Sequence, residues 1–308
     1  MVRSTRLPRL RLVEMEGASR FDGTSTVRLI VNADDFGQTK GINRAVLELH
    51  QAGLLTSATL MARAGATDQA IEIARATPSL SVGCHIVLTD GQPVLSPNRI
   101  SSLIDPSTNL FYSSLAMFFG RLLSNRINPA ELEAEATAQI EYLQTRGIRI
   151  SHVDSHKHTH MFPAVLRPLL RGARARGIHS VRNPFEPPWA IRATAGRNLV
   201  RTAQVSILRS MQSAWRRIVD EEGFLTTGGS LGVASTGALK TVTLHRLLDQ
   251  VRTGTWELVT HPGYNDADLA RIPTQLRASR DIERKALPVL REFPAIQLSS
   301  WSELRVQQ

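Results

Sequence analysis

The sequence predicts an α/β chain folded as one domain, a parallel (β/α) barrel that is closed or partly open. Three observations carry this. Strand-like and helix-like stretches alternate along most of the chain, and at least three strand-like stretches run directly into clusters of Asp and His. The length of 308 residues, 42% of them hydrophobic, suits one barrel of about 250 residues with extensions. Parallel α/β folds gather their chemistry at the carboxyl ends of strands, so clusters that follow strands belong at a common mouth.

Residues 1–25 lack sustained periodicity and carry Arg3, Arg6, Arg9 and Arg11, which predicts a basic flexible N-terminal arm ahead of a barrel domain over 26–308. The β-branched run Thr26–Val31 predicts a strand that feeds Asn32-Ala33-Asp34-Asp35-Phe36-Gly37. Neighbouring side chains on an extended segment point opposite ways, so one Asp could face a cation and the other water or substrate; a turn or a helix N-cap would use the same residue types. Ile42, Ala45, Val46 and Leu49 keep helical spacing and predict a helix over Lys40–Gln51, stopped by Gly53. A strand over Ser57–Met61 and a helix over Thr67–Ala76, ended before Pro78, come next. His85 lies inside the apolar run Leu80–Leu88. Alone it reads as a hydrogen-bonded core residue, and that reading changes if its strand borders the one carrying Asp34 and Asp35.

Residues 89–110, rich in Ser, Pro, Asp and Asn, predict a long loop shaping a cleft. Helices follow over Phe111–Leu123 and Pro129–Arg146, and then a buried strand over Ile148–Val153. That strand opens the most crowded stretch of the chain, ISHVDSHKHTHMFP, with His152, Asp154, His156, His158 and His160 within nine residues. Imidazole and carboxylate together suit a divalent cation, while the alternative is a solvated polar loop. Pro163 starts a basic amphipathic helix, Ala164–Arg176, and a strand over Ile178–Arg182 leads to the irregular Asn183–Trp189. Residues 190–220 read as one or two helices with Trp215 and Ile218 on an apolar stripe and arginines elsewhere, so 184–225 is expected to form an insertion or lid at the mouth, against the core or an anionic bilayer surface. A helix over Leu239–Val251 precedes the strand Trp256–Val259, which ends in Thr260-His261-Pro262-Gly263. A helix over Leu276–Arg291 and a strand over Ala295–Leu298 close the chain.

A net charge of +10 admits nucleic acid, an anionic surface or an acidic substrate, but the arginines are dispersed, aromatics are 5%, and no nucleic-acid motif appears. The single Cys84 excludes an intramolecular disulfide and a cysteine zinc cage. Without an apolar run of about 18 residues or a signal-peptide core, a cytoplasmic protein is expected, peripheral at the inner membrane face if the basic helix meets lipid. Neither a Gly-rich phosphate loop nor a GxSxG elbow is present, against kinases, Rossmann dehydrogenases and serine hydrolases.

Read in order, NADDFG, GCHIVLTDG, HVDSHKHTH and THPG resemble the YdjC-like carbohydrate deacetylases, the family of the chitooligosaccharide deacetylases, from about residue 27 to about 300. The segment RNPFEPPW is most similar to the branch associated with hopanoid biosynthesis. The resemblance implies a distorted (β/α) TIM-like barrel that removes acetyl from an N-acetylated amino sugar, an N-acetylglucosamine unit carried in that branch by a hopanoid glycolipid. It implies one divalent metal ion, magnesium or zinc, on Asp35, His85 and His156, a general base at Asp34 and a general acid at His261. Asp154, His152 and His158 sit in the matching motif as ligand-supporting or substrate-binding residues, and Arg182 as a substrate contact.

The chemistry is coherent without the name. Three ligands from separate strands leave coordination positions open for water and an acyl oxygen, a carboxylate beside them can take the water's proton, and an amine leaves poorly unless an acid protonates it. Two other readings use the same residues: hydrolysis of another bond such as a phosphoester, and a basic membrane- or nucleic-acid-binding protein with a structural metal. The partners expected are an acetylated sugar or glycolipid and a peripheral membrane contact, no nucleic acid, with homodimerisation open.

Overall fold

The apolar run at Val27–Val31 opens the central strand, and in the computed structural model, which describes residues 26–194 and 211–304, it continues further than the sequence predicts. Strand β1 spans Val27–Phe36 and carries Asn32, Asp34 and Asp35 inside it, all buried. The polar run reads as a turn because unpaired carboxylates do not enter cores; here each finds partners, described below. β2 (Ser57–Leu60) and β8 (Gly254–Thr260) flank β1 in parallel register, Ala33 opposite both Ala58 and Thr260. β3 (Ser81–Ile86) pairs β2, and β6 (Ile150–Ser155) pairs β3, so His85 lies opposite Asp154. β7 (Ser230–Leu231) pairs β8, and β9 (Ile296–Ser299) pairs the first residues of β1.

These seven strands make one curled parallel sheet, a distorted half-barrel in the order β6-β3-β2-β1-β8-β7 with β9 beside β1. The predicted strand Ile178–Arg182 is reduced to single bridges, Val153 to Val181 and Ser180 to Leu225, which carry the curl on from β6. Its backbone still bonds on both sides, Arg182 N donating to the Val153 carbonyl at 3.1 Å and Val181 N to the Leu225 carbonyl at 2.9 Å.

The helices α1 (Lys40–Gln51) and α2 (Thr67–Ala76) match their predicted bounds. Thr39 caps α1 by accepting from the Ile42 amide at 3.2 Å, a cap worth about 1 kcal/mol. Gly53, with φ of 70°, ends it in a conformation that costs most residues energy. Between β3 and β6 the predicted loop contains a hairpin of β4 (Ile104–Asp105) and β5 (Leu110–Phe111), and α3 begins at Leu115, not Phe111, spanning Leu115–Leu123 under a Ser114 cap. α4 (Pro129–Gln144) and α5 (Pro163–Ala175) pack together outside the sheet.

Of the expected lid, the described parts are a helix over Pro188–Thr194 and another over Gln212–Glu221; residues 195–210, and the arm over 1–25, lie outside the described residues. Trp215 is fully buried and donates from Nε1 to the His160 carbonyl at 3.1 Å, so this part of the stripe packs into the core. Among the described residues, no helix is long and apolar enough to cross a membrane.

Candidate metal centre

Parallel strands all end at one rim, so β1, β3, β6 and β8 deliver Asp34 and Asp35, His85, Asp154 with His156, and His261 to the same mouth. Alternation along β1 would send Asp34 and Asp35 to opposite faces. Instead Asp35 has φ of 63°, in the left-handed region, and the β1–β2 register shifts between Ala33 and Phe36. This kink, costing about 1 kcal/mol for a non-glycine residue, lets consecutive carboxylates serve one site. Lys157 and His158 are left-handed as well, with φ of 56° and 53°, where the chain turns sharply after β6.

Three donor atoms meet at the centre. Asp35 Oδ1 lies 3.2 Å from His156 Nδ1 and 3.5 Å from His85 Nε2, and the two ring nitrogens are 3.4 Å apart. Asp35 Oδ1 is buried with no hydrogen-bond partner among the described residues. A cation bound at about 2.1 Å by tetrahedrally arranged ligands separates them by about 3.4 Å. The donor set, its spacing and the orphaned oxygen therefore fit one divalent cation.

The surrounding residues fix these donors. His85 Nδ1 donates to Asp154 Oδ1 at 2.8 Å, which aims Nε2 at the centre as the atom that would ligate. Burial pushes the His85 imidazole down, but Asp154, then Asp35 and Asp34, outweigh it and raise its pKa to about 10. Arg280 donates from Nη2 to the other Asp35 oxygen, Oδ2, at 2.5 Å and to Gln38 Oε1 at 2.9 Å. Burial would raise the Asp35 carboxyl, yet the Arg280 charge and the two histidines hold it well below the usual carboxylate range.

Asp34 is 2% exposed and points into the same mouth from the other side of Asp35. Arg182 grips it with Nη1 to Oδ2 at 2.8 Å and Nη2 to Oδ1 at 2.6 Å, while Asn32 and Thr59 donate to Oδ1 at 2.9 and 3.3 Å. Burial favours the neutral acid, but Arg182 foremost, and the charges of His85 and His261, keep Asp34 ionised far below its ordinary pKa. His261 Nε2 sits 3.7 Å from Asp34 Oδ2, and its Nδ1 3.7 Å from Glu283 Oε2, which also accepts the His261 amide at 2.7 Å. Burial pushes the His261 imidazole down, and Glu283, then Asp34, reverse this and raise it.

Two residues expected to touch substrate are placed elsewhere. Arg182 is 0% exposed and also holds Asp154 Oδ2 at 2.5 Å and Glu257 Oε1 at 2.9 Å, with no donor directed at the mouth. Asp154 is 0% exposed and is spent on His85 and Arg182, so it orients a donor instead of meeting a ligand. His158 is half-buried with Nδ1 unpartnered, which suits a ligand contact. Asp34, His85 and Asp154 also lie close enough to share a cation, but Arg182 already neutralises that pocket.

Sequence reasoning missed Glu257, Arg280 and Glu283. Glu257 sits in an apolar strand, where a lone charge signals a buried partner, but Arg280 and Glu283 lie in a helix over Arg277–Ala286 whose many charges resemble a solvated face.

His152 and His160, grouped by sequence with the ligands, are fully buried behind the site: His152 stacks on Trp301 at 4.4 Å, and His160 Nδ1 meets Ser155 Oγ at 2.7 Å. Burial is the first cause that pushes them down, to about 3 and about 4 from 6.5. The unfolded chain takes up protons at both below about pH 6.5 while the folded chain does not, so their contribution is full above pH 6.5 and lost on acidification. His85 moves the other way, and its contribution is constant below pH 6.5. Burial lowers His158 to about 3 as well, so with three such histidines stability should fall by about 4 kcal/mol per pH unit between about pH 6 and 4. Denaturant unfolding across that range should show this slope, reduced by about a third in His160→Gln; a pH-independent midpoint would refute it.

Comparison with known proteins adds four findings. The YdjC-like protein family matches residues 28–294. A carbohydrate deacetylase of Brevibacillus brevis is 38% identical over 165 residues, 53% of this chain and 60% of that protein. One of Thermoanaerobacter pseudethanolicus is 27% identical over 262 residues, 84% of this chain and 90% of that protein. A crystal structure described as a putative cellobiose-phosphate cleavage protein from Enterococcus faecalis V583 superposes with a TM-score of 0.72 at 25% identity, covering 92% of this chain and all of that one.

Proposed function

Since the chain belongs to the YdjC-like protein family, we propose that it is a metal-dependent hydrolase that removes the acetyl group from an N-acetylated amino sugar. The observation that carries this reading is the meeting of Asp35, His85 and His156 donor atoms within 3.2–3.5 Å, beside an ionised Asp34 and within the same mouth as His261. The deacetylase relatives support the bond cleaved.

A magnesium or zinc ion held by Asp35, His85 and His156 would acidify a water and polarise the acetyl carbonyl. Asp34, permanently ionised by Arg182, accepts the water's proton. Its low basicity gives little driving force by itself, so it acts on a water already made acidic. His261, kept protonated by Glu283, donates to the departing sugar amine, which otherwise leaves poorly as an anion. Asp154 and Arg280 keep the His85 ring and the Asp35 carboxylate oriented, and His158 contacts substrate. The substrate is an N-acetylglucosamine unit, and the RNPFEPPW resemblance supports its attachment to a hopanoid glycolipid. A two-cation phosphoester site finds no support in the donor set, because Arg182 occupies the acidic pocket beside the first.

Acetate release tests this reading. The chelator-treated protein should release none from N-acetylglucosamine oligomers or an N-acetylglucosaminyl lipid, and added zinc or magnesium should restore release. Because a proton competes for His85 Nε2 up to about pH 10, cation binding near pH 8 should release close to one proton and weaken about tenfold per pH unit on acidification. Calorimetry in buffers of different ionisation enthalpy measures that proton. Cation binding without acetate from either substrate would overturn the deacetylase assignment.

A further inference from the structure

Helix α3 is exceptional among the helices of the described residues in what it shows to solvent. Its outward face carries Ala116, Met117, Gly120 and Leu123, all exposed, with no charged side chain among them. Met117 is 51% and Leu123 81% exposed, and with Leu110 at 40% they are three of the five large apolar side chains exposed among the described residues. Isolated exposed apolar groups are ordinary, whereas a helix face made of them marks an interaction surface.

Its position and charge indicate what covers it. Phe119 packs against Phe162 with ring centroids 4.0 Å apart and planes tilted by 42°, and Phe162 directly follows the His156–Met161 turn that bears a donor of the metal centre. α3 therefore stands at the rim of the mouth. Residues 106–130 contain no Asp or Glu, and Arg121 and Arg126 flank the apolar face. A second copy of the chain related by two-fold symmetry would bring these arginines together with no carboxylate to answer them. A chain of net charge +10 is repelled by its own copies and attracted to anionic headgroups.

We propose that α3 is an interfacial anchor that docks the mouth of the barrel on an anionic lipid surface, with Met117 and Leu123 entering the headgroup region. Docking in this orientation presents the metal centre to acetylated sugars carried on lipids of that surface. That second step rests on the deacetylase reading; the docking itself does not.

Flotation of the full chain with equimolar phosphatidylglycerol–phosphatidylcholine vesicles tests it. The protein should float with these vesicles, bind phosphatidylcholine vesicles far less, and dissociate as salt rises. Met117→Glu with Leu123→Glu should lower partitioning by at least about tenfold, and Leu123→Asn alone should lower it less, while acetate release from soluble oligomers is unchanged in both. Vesicle binding is read without turnover, so a failed deacetylase assay leaves this result standing, and the reverse. No flotation, or flotation unaffected by the paired substitution, overturns the proposal. Self-association in the ultracentrifuge that the same substitution abolishes assigns the face to a second copy and overturns it too.

Discussion

Asp34→Asn should lower kcat for acetate release by about 10²–10⁴-fold while cation affinity changes little. The substitution keeps the shape of the side chain and still offers Arg182 an acceptor, so the fold survives, with Asp154 and Glu257 continuing to hold the guanidinium. What disappears is the proton acceptor. Asp35→Asn provides the contrast: it removes charge from the donor set, so a cation titration, and not only turnover, should report the loss. A variant at Asp34 within a few-fold of the parent kcat would assign the base to another group. The pH profile separates the roles further. Asp34 stays ionised across the neutral range, so the acid limb of kcat/KM belongs to the proton competing for His85 Nε2. The alkaline limb belongs to His261, whose raised pKa means that its acid form, and the activity, are lost only as pH climbs through that raised value. In His261→Asn that limb should vanish.

Much of this arrangement is legible in the sequence because local rules and the fold agree. The bounds of α1 and α2 follow from apolar spacing and from Gly53 and Pro78, residues whose backbone limits act without tertiary help. The clustering of Asp and His after strands locates the mouth, since parallel strands must end together. What is not legible depends on partners far away in sequence. β1 runs through Asn32–Phe36 because Thr59, Arg182 and Arg280 satisfy its polar groups, contacts spanning 27, 148 and 245 residues. His85 reads as an ordinary core residue until β3 is seen to place it opposite Asp154. Arg182 follows a strand-like run and so resembles a residue aimed at substrate; only the convergence of Asp34, Asp154 and Glu257 shows that its charge is consumed inside the fold.

That convergence yields the largest expected effect on stability. Arg182→Met should cost about 3–5 kcal/mol, because the thioether fills some of the volume but leaves three buried carboxylates facing one another. Arg182 donates to Glu257 through Nε at 3.0 Å and Nη2 at 2.9 Å, and Glu257 Oε1 also accepts from Trp301 Nε1 at 3.1 Å, so the loss propagates into the barrel interior. The carboxylates would respond by taking up protons: burial already pushes Glu257 above its ordinary value, and Asp34, now without the guanidinium, would rise as well. The destabilisation should therefore shrink as pH falls from 7 toward 5, the opposite of the parent trend set by His152, His158 and His160. Arg182→Lys supplies the test if the methionine variant does not fold. It restores the positive charge without the two-pronged grip on Asp34, so it should recover much of the stability and less of the kcat. Urea unfolding of both variants at pH 7 and pH 5, with acetate release measured alongside, reads these differences. A loss under about 1 kcal/mol for Arg182→Met would mean that the three carboxylates do not depend on Arg182 for their charge, and the role assigned to Asp34 would lose its electrostatic basis.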